Sequence, residues 1–289
     1  MYSYVIIEIN IKQNDNIMAY NLEWGRTTPG HMVYLIDLSG SMSENNNIYN
    51  VLDCTLITLD ILSSTNRFMK KYKEKFTISI YGYNSDVIKL FSGGVADIAS
   101  LVKDAKNNNK PLFDISTKAK PQWQTFMAKA FLAAKLDIEN WIKEQDSKGI
   151  PIPAPVVVNI TDGYPYEGKN RAQEEVYLET LQAAEMLRNT TVDDGNTLLF
   201  NIHFDPQKCQ REILLPENID STFNAEEIFL FEASSILPES YLKEAQNIRS
   251  TVHYGAKAMI SNAKNKSLLT EFIKFGSSGG MNNNINIYK

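Results

Sequence analysis

Three oxygen-bearing side chains, Asp37, Ser39 and Ser41, alternate along Asp37-Leu-Ser39-Gly-Ser41-Met42, directly after the apolar run Val33 to Ile36. Such a run reads as a buried strand. The three oxygens therefore sit at its mouth, where Gly40 permits a tight backbone path. Pointed into one small volume, they are hard donors of the kind Mg²⁺ or Mn²⁺ takes in an octahedron of carboxylate, hydroxyl and water oxygens. The plainer reading is that Ser39 and Ser41 cap the following helix, as serine at a helix start commonly does. A second acidic loop, Thr161-Asp162-Gly163, ends the apolar run Pro155-Val-Val-Val-Asn-Ile-Thr161. Two aspartates and two serines leave the octahedron short. Thr125, just before a helical pattern, either adds a third hydroxyl or caps that helix.

The elements that must position these loops can be read from periodicity. Ile48, Leu52, Thr55/Leu56, Leu59 and Leu62 recur at helical spacing, and Cys54 falls at a core position in the same helix. Phe76 to Tyr81 alternates as a strand does. Val87 to Phe91 follows after Asn84-Ser85-Asp86, a connection so short that this next strand must be an antiparallel neighbour. A helix is expected over 96–106. Met127, Phe131, Ala134, Ile138 and Trp141/Ile142 outline another. Pro151 and Pro153 exclude helix before the strand at 155–161, whose continuous apolar character means burial on both faces. Further expectations are a helix over roughly 171–189, a strand over 197–203, a last core strand at Glu227 to Phe231, and short helices near 239–248 and 267–275.

Strands alternating with helices over long crossovers predict an α/β fold. Its form is a doubly wound, Rossmann-like, mostly parallel sheet with helices on both faces and one antiparallel edge strand. Ligands in such sheets bind outside the carboxyl ends of strands, at the switch point, and both acidic loops lie at carboxyl ends. Residues 1–30 read as an N-terminal extension and lead-in, 31–275 as one domain, and 276–289 as a flexible Gly/Ser/Asn-rich tail. Residues 1–17 are either an extra strand or an upstream start, with Met18 the natural beginning.

Composition narrows the function classes. The 289 residues are 43% hydrophobic and 22% charged with formal net charge −5, and the pI is near 5.4. No Lys/Arg-rich stripe of a nucleic-acid binder stands out. The densest basic run, Lys70-Lys71-Tyr-Lys73-Glu-Lys75, reads as the solvated end of a helix. Cys54 and Cys209 form no disulfide framework and no zinc spacing. No stretch approaches a membrane span and no secretory signal is evident, so a cytoplasmic chain without a membrane partner is expected.

Taken in order, Asp37-x-Ser39-x-Ser41, then Thr125, then Thr161-Asp162-Gly163 resemble the metal-ion-dependent adhesion site of von Willebrand factor A (VWA) domains, over roughly 31–275. The resemblance implies Mg²⁺ or Mn²⁺ ligated directly by Ser39 and Ser41. Asp37 and Asp162 would act largely through bound water, and Thr125 would switch between direct and water-mediated contact. It implies a docking point for an Asp or Glu of a protein partner, and no enzyme activity. The start Met18-Ala-Tyr resembles bacterial VWA proteins of the tellurite-resistance type, commonly associated with a Ser/Thr phosphatase and a protein kinase. Trp123-Gln124 before Thr125 and Phe126 after it depart from the small residues usual there.

Rival readings are available. Gly163-Tyr-Pro-Tyr-Glu-Gly168-Lys169-Asn170 is one residue from the phosphate-binding G-x-x-x-x-G-K-[ST]. However, Asn170 lacks the metal-binding hydroxyl, and Pro165 removes a backbone N–H. Gly276-Ser-Ser278-Gly-Gly280 matches a nucleophile elbow by letter, without the strand and helix that motif requires. His31, His203 and His253 show no ligand or triad spacing, and His203 is expected to be a core or rim residue. A structural scaffold with a vestigial metal site is the remaining alternative.

Overall fold

The computed structural model describes residues 20–43, 46–115, 123–204, 211–261 and 266–277. In chain order the elements begin β1 (Gly30–Asp37), α1 (Gly40–Ser43), α2 (Asn47–Thr65), β2 (Arg67–Phe68), β3 (Lys71–Tyr72), β4 (Phe76–Tyr83), β5 (Val87–Gly94) and α3 (Val95–Asn107). There follow α4 (Met127–Ser147), β6 (Val156–Thr161), α5 (Gln173–Arg188), β7 (Thr191–Val192), β8 (Gly195–Asn196) and β9 (Leu198–His203). The chain closes with β10 (Ile213–Leu214), α6 (Ala225–Ala233), α7 (Glu239–Ala245), β11 (Met259–Ser261) and α8 (Lys266–Gly276).

The central sheet has seven strands among the described residues, in the order β10-β11-β9-β6-β1-β4-β5. Its five inner strands run parallel, and β5 is antiparallel to β4 across the three-residue turn, as the short connection demands. The two-residue β10 adds an antiparallel partner at the opposite edge. Alternation along the strands supplies both cores. Met32, Tyr34, Ile36, Val156, Val158, Ile160, Phe200 and Ile202 face α2, α3, α7 and α8. Val33, Leu35, Tyr83, Val157 and Leu199 face α4, α5 and α6. Burial on both faces is why these strands read as unbroken apolar runs. The fold is therefore a doubly wound, mostly parallel α/β sheet.

Three expectations are corrected. Glu227 to Phe231 is not a strand but the middle of α6. Asn224 and Glu227 form a reciprocal capping box, in which the Asn224 side chain accepts from Glu227 N–H at 2.8 Å and Glu227 accepts from Asn224 N–H at 2.9 Å. That cap starts a helix whatever the β-propensity of Ile-Phe-Leu-Phe, and the last core strand is the three-residue β11. The basic run after Met69 is not a helix end: α2 stops at Thr65, and Arg67–Tyr72 form a two-stranded hairpin. Finally, Gly276 and Ser277 belong to the core, since the Ser277 hydroxyl bonds the buried Tyr34 hydroxyl across the sheet face; residues 278–289 of the expected tail lie outside the described residues, as do 1–19.

The lead-in from Tyr20 packs on the domain. Asp194 accepts the N–H groups of Asn21, Leu22 and Ala154, and the buried Trp24 ring lies over Gly30. A Cβ at position 30 would meet that ring at 2.1 Å, so only glycine admits it.

Candidate metal centre

β1 and β6 are adjacent in the sheet, and Asp37 and Asp162 follow at their carboxyl ends. The loop after β1 is anchored to β4 by Leu38 N–H, which donates to the Tyr83 carbonyl at 2.7 Å. Within the loop, Ser39 N–H donates to Asp37 Oδ1 at 2.8 Å, the same side chain-to-backbone closure that makes aspartate a loop residue. The hydroxyls of Ser39 and Ser41 lie 3.1 Å apart, and Ser41 donates to Asp162 Oδ1 at 2.8 Å. Asp37 is fully buried; Ser39, Thr125 and Asp162 are nearly so, and Ser41 is the half-buried opening of the group.

Thr125 arrives through its backbone. It forms an isolated antiparallel bridge with Tyr166, with N–H to carbonyl distances of 2.7 and 3.1 Å. The next residue, Phe126, donates its N–H to the Asn84 carbonyl in the β4–β5 turn at 2.8 Å. Three loops are thus stitched together above the sheet. Trp123 lies across the loop after β1: a Cβ on Gly40 would come 3.0 Å from the indole. Trp123 is 73% exposed and forms the rim. The aromatics of the third loop behave differently. Tyr164 packs under the loop against Tyr177 and Phe229, and Tyr166 is held by its bridge.

Two residues outside the expected metal set, Thr161 of the second acidic loop and His203, read as a core or rim residue, complete the site. Thr161 donates its hydroxyl to Asp37 Oδ2 at 2.6 Å and accepts from Gly163 N–H at 3.1 Å. His203 is buried at the end of β9, with Nδ1 2.9 Å from the Ser261 hydroxyl and Nε2 3.3 Å from the Asp162 carbonyl. The bond of Thr161 to Asp37 and the approach of His203 to Asp162 follow from strand order. Burial pushes the Asp37 carboxyl up to about 6, against the lowering effect of its bonds from Thr161 and Ser39.

The donor set fits a hard divalent cation. In an octahedron with ligands at 2.0–2.1 Å, adjacent oxygens lie roughly 2.9 Å apart, and the Ser39–Ser41 and Ser41–Asp162 separations bracket that value. Among the described residues Asp37 is a buried carboxylate bonded only by neutral donors, whereas buried charges are ordinarily paired or coordinate metals. Among the described residues no group of three or more His, Cys, Asp or Glu side chains is arranged for a metal. Any ion here would instead rest on two carboxylates with hydroxyls, the chemistry of Mg²⁺ or Mn²⁺ rather than of a softer site.

The phosphate-loop stretch takes a different shape. Tyr166 N–H is spent on Thr125, the Gln173 side chain donates to the Pro165 carbonyl at 2.7 Å, and helix α5 begins only at Gln173. These N–H groups do not form the cradle at a helix start that phosphate binding uses. Ser278 lies outside the described residues.

No family model matches the chain, and no curated protein matches it. Solved structures with a similar arrangement include the manganese-loaded TRAP protein of Plasmodium vivax, at 17% identity, covering 61% of this chain and 57% of that one, with a TM-score of 0.37. Proximal thread matrix protein 1 from the mussel byssus, with a zinc-occupied MIDAS motif, shares 16% identity over 62% of this chain and 37% of that one, with a TM-score of 0.38. The von Willebrand factor type A structure from Catenulispora acidiphila shares 12% identity over 63% and 35%, with a TM-score of 0.37. The chain spans 22%, 37% and 57% of the length of three such structures, the first being the type V pili tip protein Mfa5 of Porphyromonas gingivalis. At these scores the likenesses assign no role to any residue here.

Proposed function

We propose that this chain is a metal-dependent protein-interaction module. In this reading Asp37, Ser39, Ser41, Thr125 and Asp162 hold Mg²⁺ or Mn²⁺, and a coordination position left open beside Ser41 and Trp123 takes an Asp or Glu of a partner protein. The observation that carries the reading is the buried Asp37 carboxylate. Among the described residues no cationic side chain bonds it, and in the same site the Ser39, Ser41 and Asp162 oxygens lie at octahedral spacing. Two carboxylates balance a divalent cation, and the cation would supply electrostatic attraction for a third, incoming carboxylate. The chain's own residues would orient that partner: Trp123 as an exposed aromatic rim, of the kind enriched at interfaces, and the Thr125–Tyr166 bridge as a fixed wall. The reading assigns no catalytic role, a cytoplasmic setting, and a partner class that includes Ser/Thr kinases and phosphatases.

The test is a pull-down from native lysate with wild type and Asp162→Ala, each in Mg²⁺ and in EDTA. A protein retained only by wild type with Mg²⁺ supports the module. The same proteins in all four lanes would make the metal incidental and leave a scaffold.

A further inference from the structure

The hairpin between α2 and β4 has a composition unlike the rest of the chain. The nine residues Arg67 to Lys75 carry five basic side chains and one acidic one, in a protein of formal net charge −5. The structure places Phe68 and Met69 at the hairpin tip, with Met69 in the left-handed region at φ 55°. They are 60% and 83% exposed. Around them, Arg67, Lys70, Lys71 and Lys73 are exposed and Lys75 is half-buried.

The charge of this ring is not cancelled locally. The Glu74 carboxylate is turned away to receive the N–H groups of Val95 and Ala96 at the start of α3, at 2.7 and 3.0 Å. Among the described residues none of the five cations makes an ion pair; instead Arg67 lies 5.9 Å from the Tyr72 ring centre and Lys73 5.2 Å from that of Phe68. The hairpin is short, so the apolar tip and the cations reach a flat surface together.

We infer that this hairpin is a contact for an anionic lipid surface, with Phe68 and Met69 entering the interface and the five cations on the headgroups. An apolar tip inside a basic ring is what an interfacial anchor needs, each cation and each buried apolar group adding to partition. A contact made only to a polyanion would gain nothing from an exposed Phe-Met tip. The absence of a spanning segment does not bear on this, because a surface contact needs none. The hairpin's placement also suits the fold. Lys75 leads into Phe76, paired with Gly30, while the metal loop follows Asp37, paired with Tyr83. The two sites therefore sit at opposite ends of an eight-residue strand, roughly 25 Å apart along it, and a chain resting on its hairpin would present the metal loop outward.

The test is co-sedimentation of the full chain, in EDTA to silence the metal loop, with phosphatidylcholine vesicles and with vesicles containing about 30% phosphatidylserine. Wild type is expected to bind the anionic vesicles at about 0.05 M salt and to be released at about 0.5 M. Lys70→Glu/Lys71→Glu should lower partition by tenfold or more, and Phe68→Ser/Met69→Ser by about fivefold to tenfold. All four positions are exposed, so melting by circular dichroism should be unchanged. No binding by wild type, or binding unaffected by either double variant, would overturn the inference. Loss with charge reversal but none with the tip variant would also overturn it, in favour of a general polyanion contact.

Discussion

Replacing Asp37 by asparagine should stabilise the metal-free protein while abolishing its response to Mg²⁺. Asparagine keeps the shape, and its amide oxygen can still accept from Ser39 N–H; the Thr161 hydroxyl, both donor and acceptor, can turn to receive the new N–H. What changes is the charge. The buried carboxyl is held at about 6 rather than the ordinary 3.8, so the folded state binds the proton more tightly than the unfolded one. Stability contributed by this group therefore falls as pH rises between those values, and above about 6 the loss is complete. At about 1.4 kcal/mol for each tenfold in proton affinity, it amounts to roughly 3 kcal/mol. In EDTA at pH 7.5, urea unfolding should find the Asp37→Asn variant more stable by about 1–3 kcal/mol, the lower values reflecting imperfect amide bonding. At pH 5, midway between the two values, the gap should shrink to about half, and it should close only below the unfolded value of 3.8, where the carboxyl is protonated in both states. Mg²⁺ at about a hundred times its dissociation constant should raise wild type by about 2.7 kcal/mol and leave the variant unmoved. A variant less stable than wild type in EDTA at pH 7.5, or a gap indifferent to pH, would refute the claim that Asp37 is an uncompensated charge awaiting a cation.

Three further outcomes follow from neighbouring geometry. Thr161→Val removes the hydroxyl that favours ionised Asp37, so the pH midpoint of Mn²⁺ binding should move upward; a midpoint unchanged in a pH series of Mn²⁺ titrations would remove Thr161 from the site. Tyr83→Phe breaks the buried chain running Tyr83, Asn159, Asn201, Ser234 across the sheet and leaves the Asn159 oxygen without that donor, at about 1–3 kcal/mol by urea unfolding, with metal affinity retained. Gly30→Ala forces the Trp24 ring out of its place and should cost about 1–3 kcal/mol; a thermal melt equal to wild type would show that the lead-in does not pack there.

What could be read in the chain depended on whether the signal was local. The β1 loop was legible because an apolar run halts abruptly at Asp37 and its three oxygens follow within five residues. The antiparallel β5 was legible because a three-residue turn permits nothing else. Glu227 to Phe231 misled because helix and strand are both compatible with a short apolar run, and the deciding signal, Asn224 three residues before Glu227, lay outside the segment considered. The basic run misled because Asn66 closes α2 before it begins; the hairpin is set by the Arg67–Tyr72 pairing. His203 was not legible as a site residue, since it reaches Asp162 only after β9 takes its place beside β6, and the bond of Thr161 to Asp37 depends likewise on the pairing of β1 with β6. Trp123 over Gly40 is likewise a contact between loops far apart in sequence.

The central claim is that Asp37, Ser39, Ser41, Thr125 and Asp162 form a divalent-cation site. Calorimetric titration of Mn²⁺ into the metal-free chain tests it most directly, with wild type, Ser39→Ala and Asp162→Ala side by side. The account predicts about one ion per chain for wild type, competition by Mg²⁺, and no saturable heat for either variant, with all three folded. Saturable binding that survives in both variants would place the ion elsewhere and contradict it.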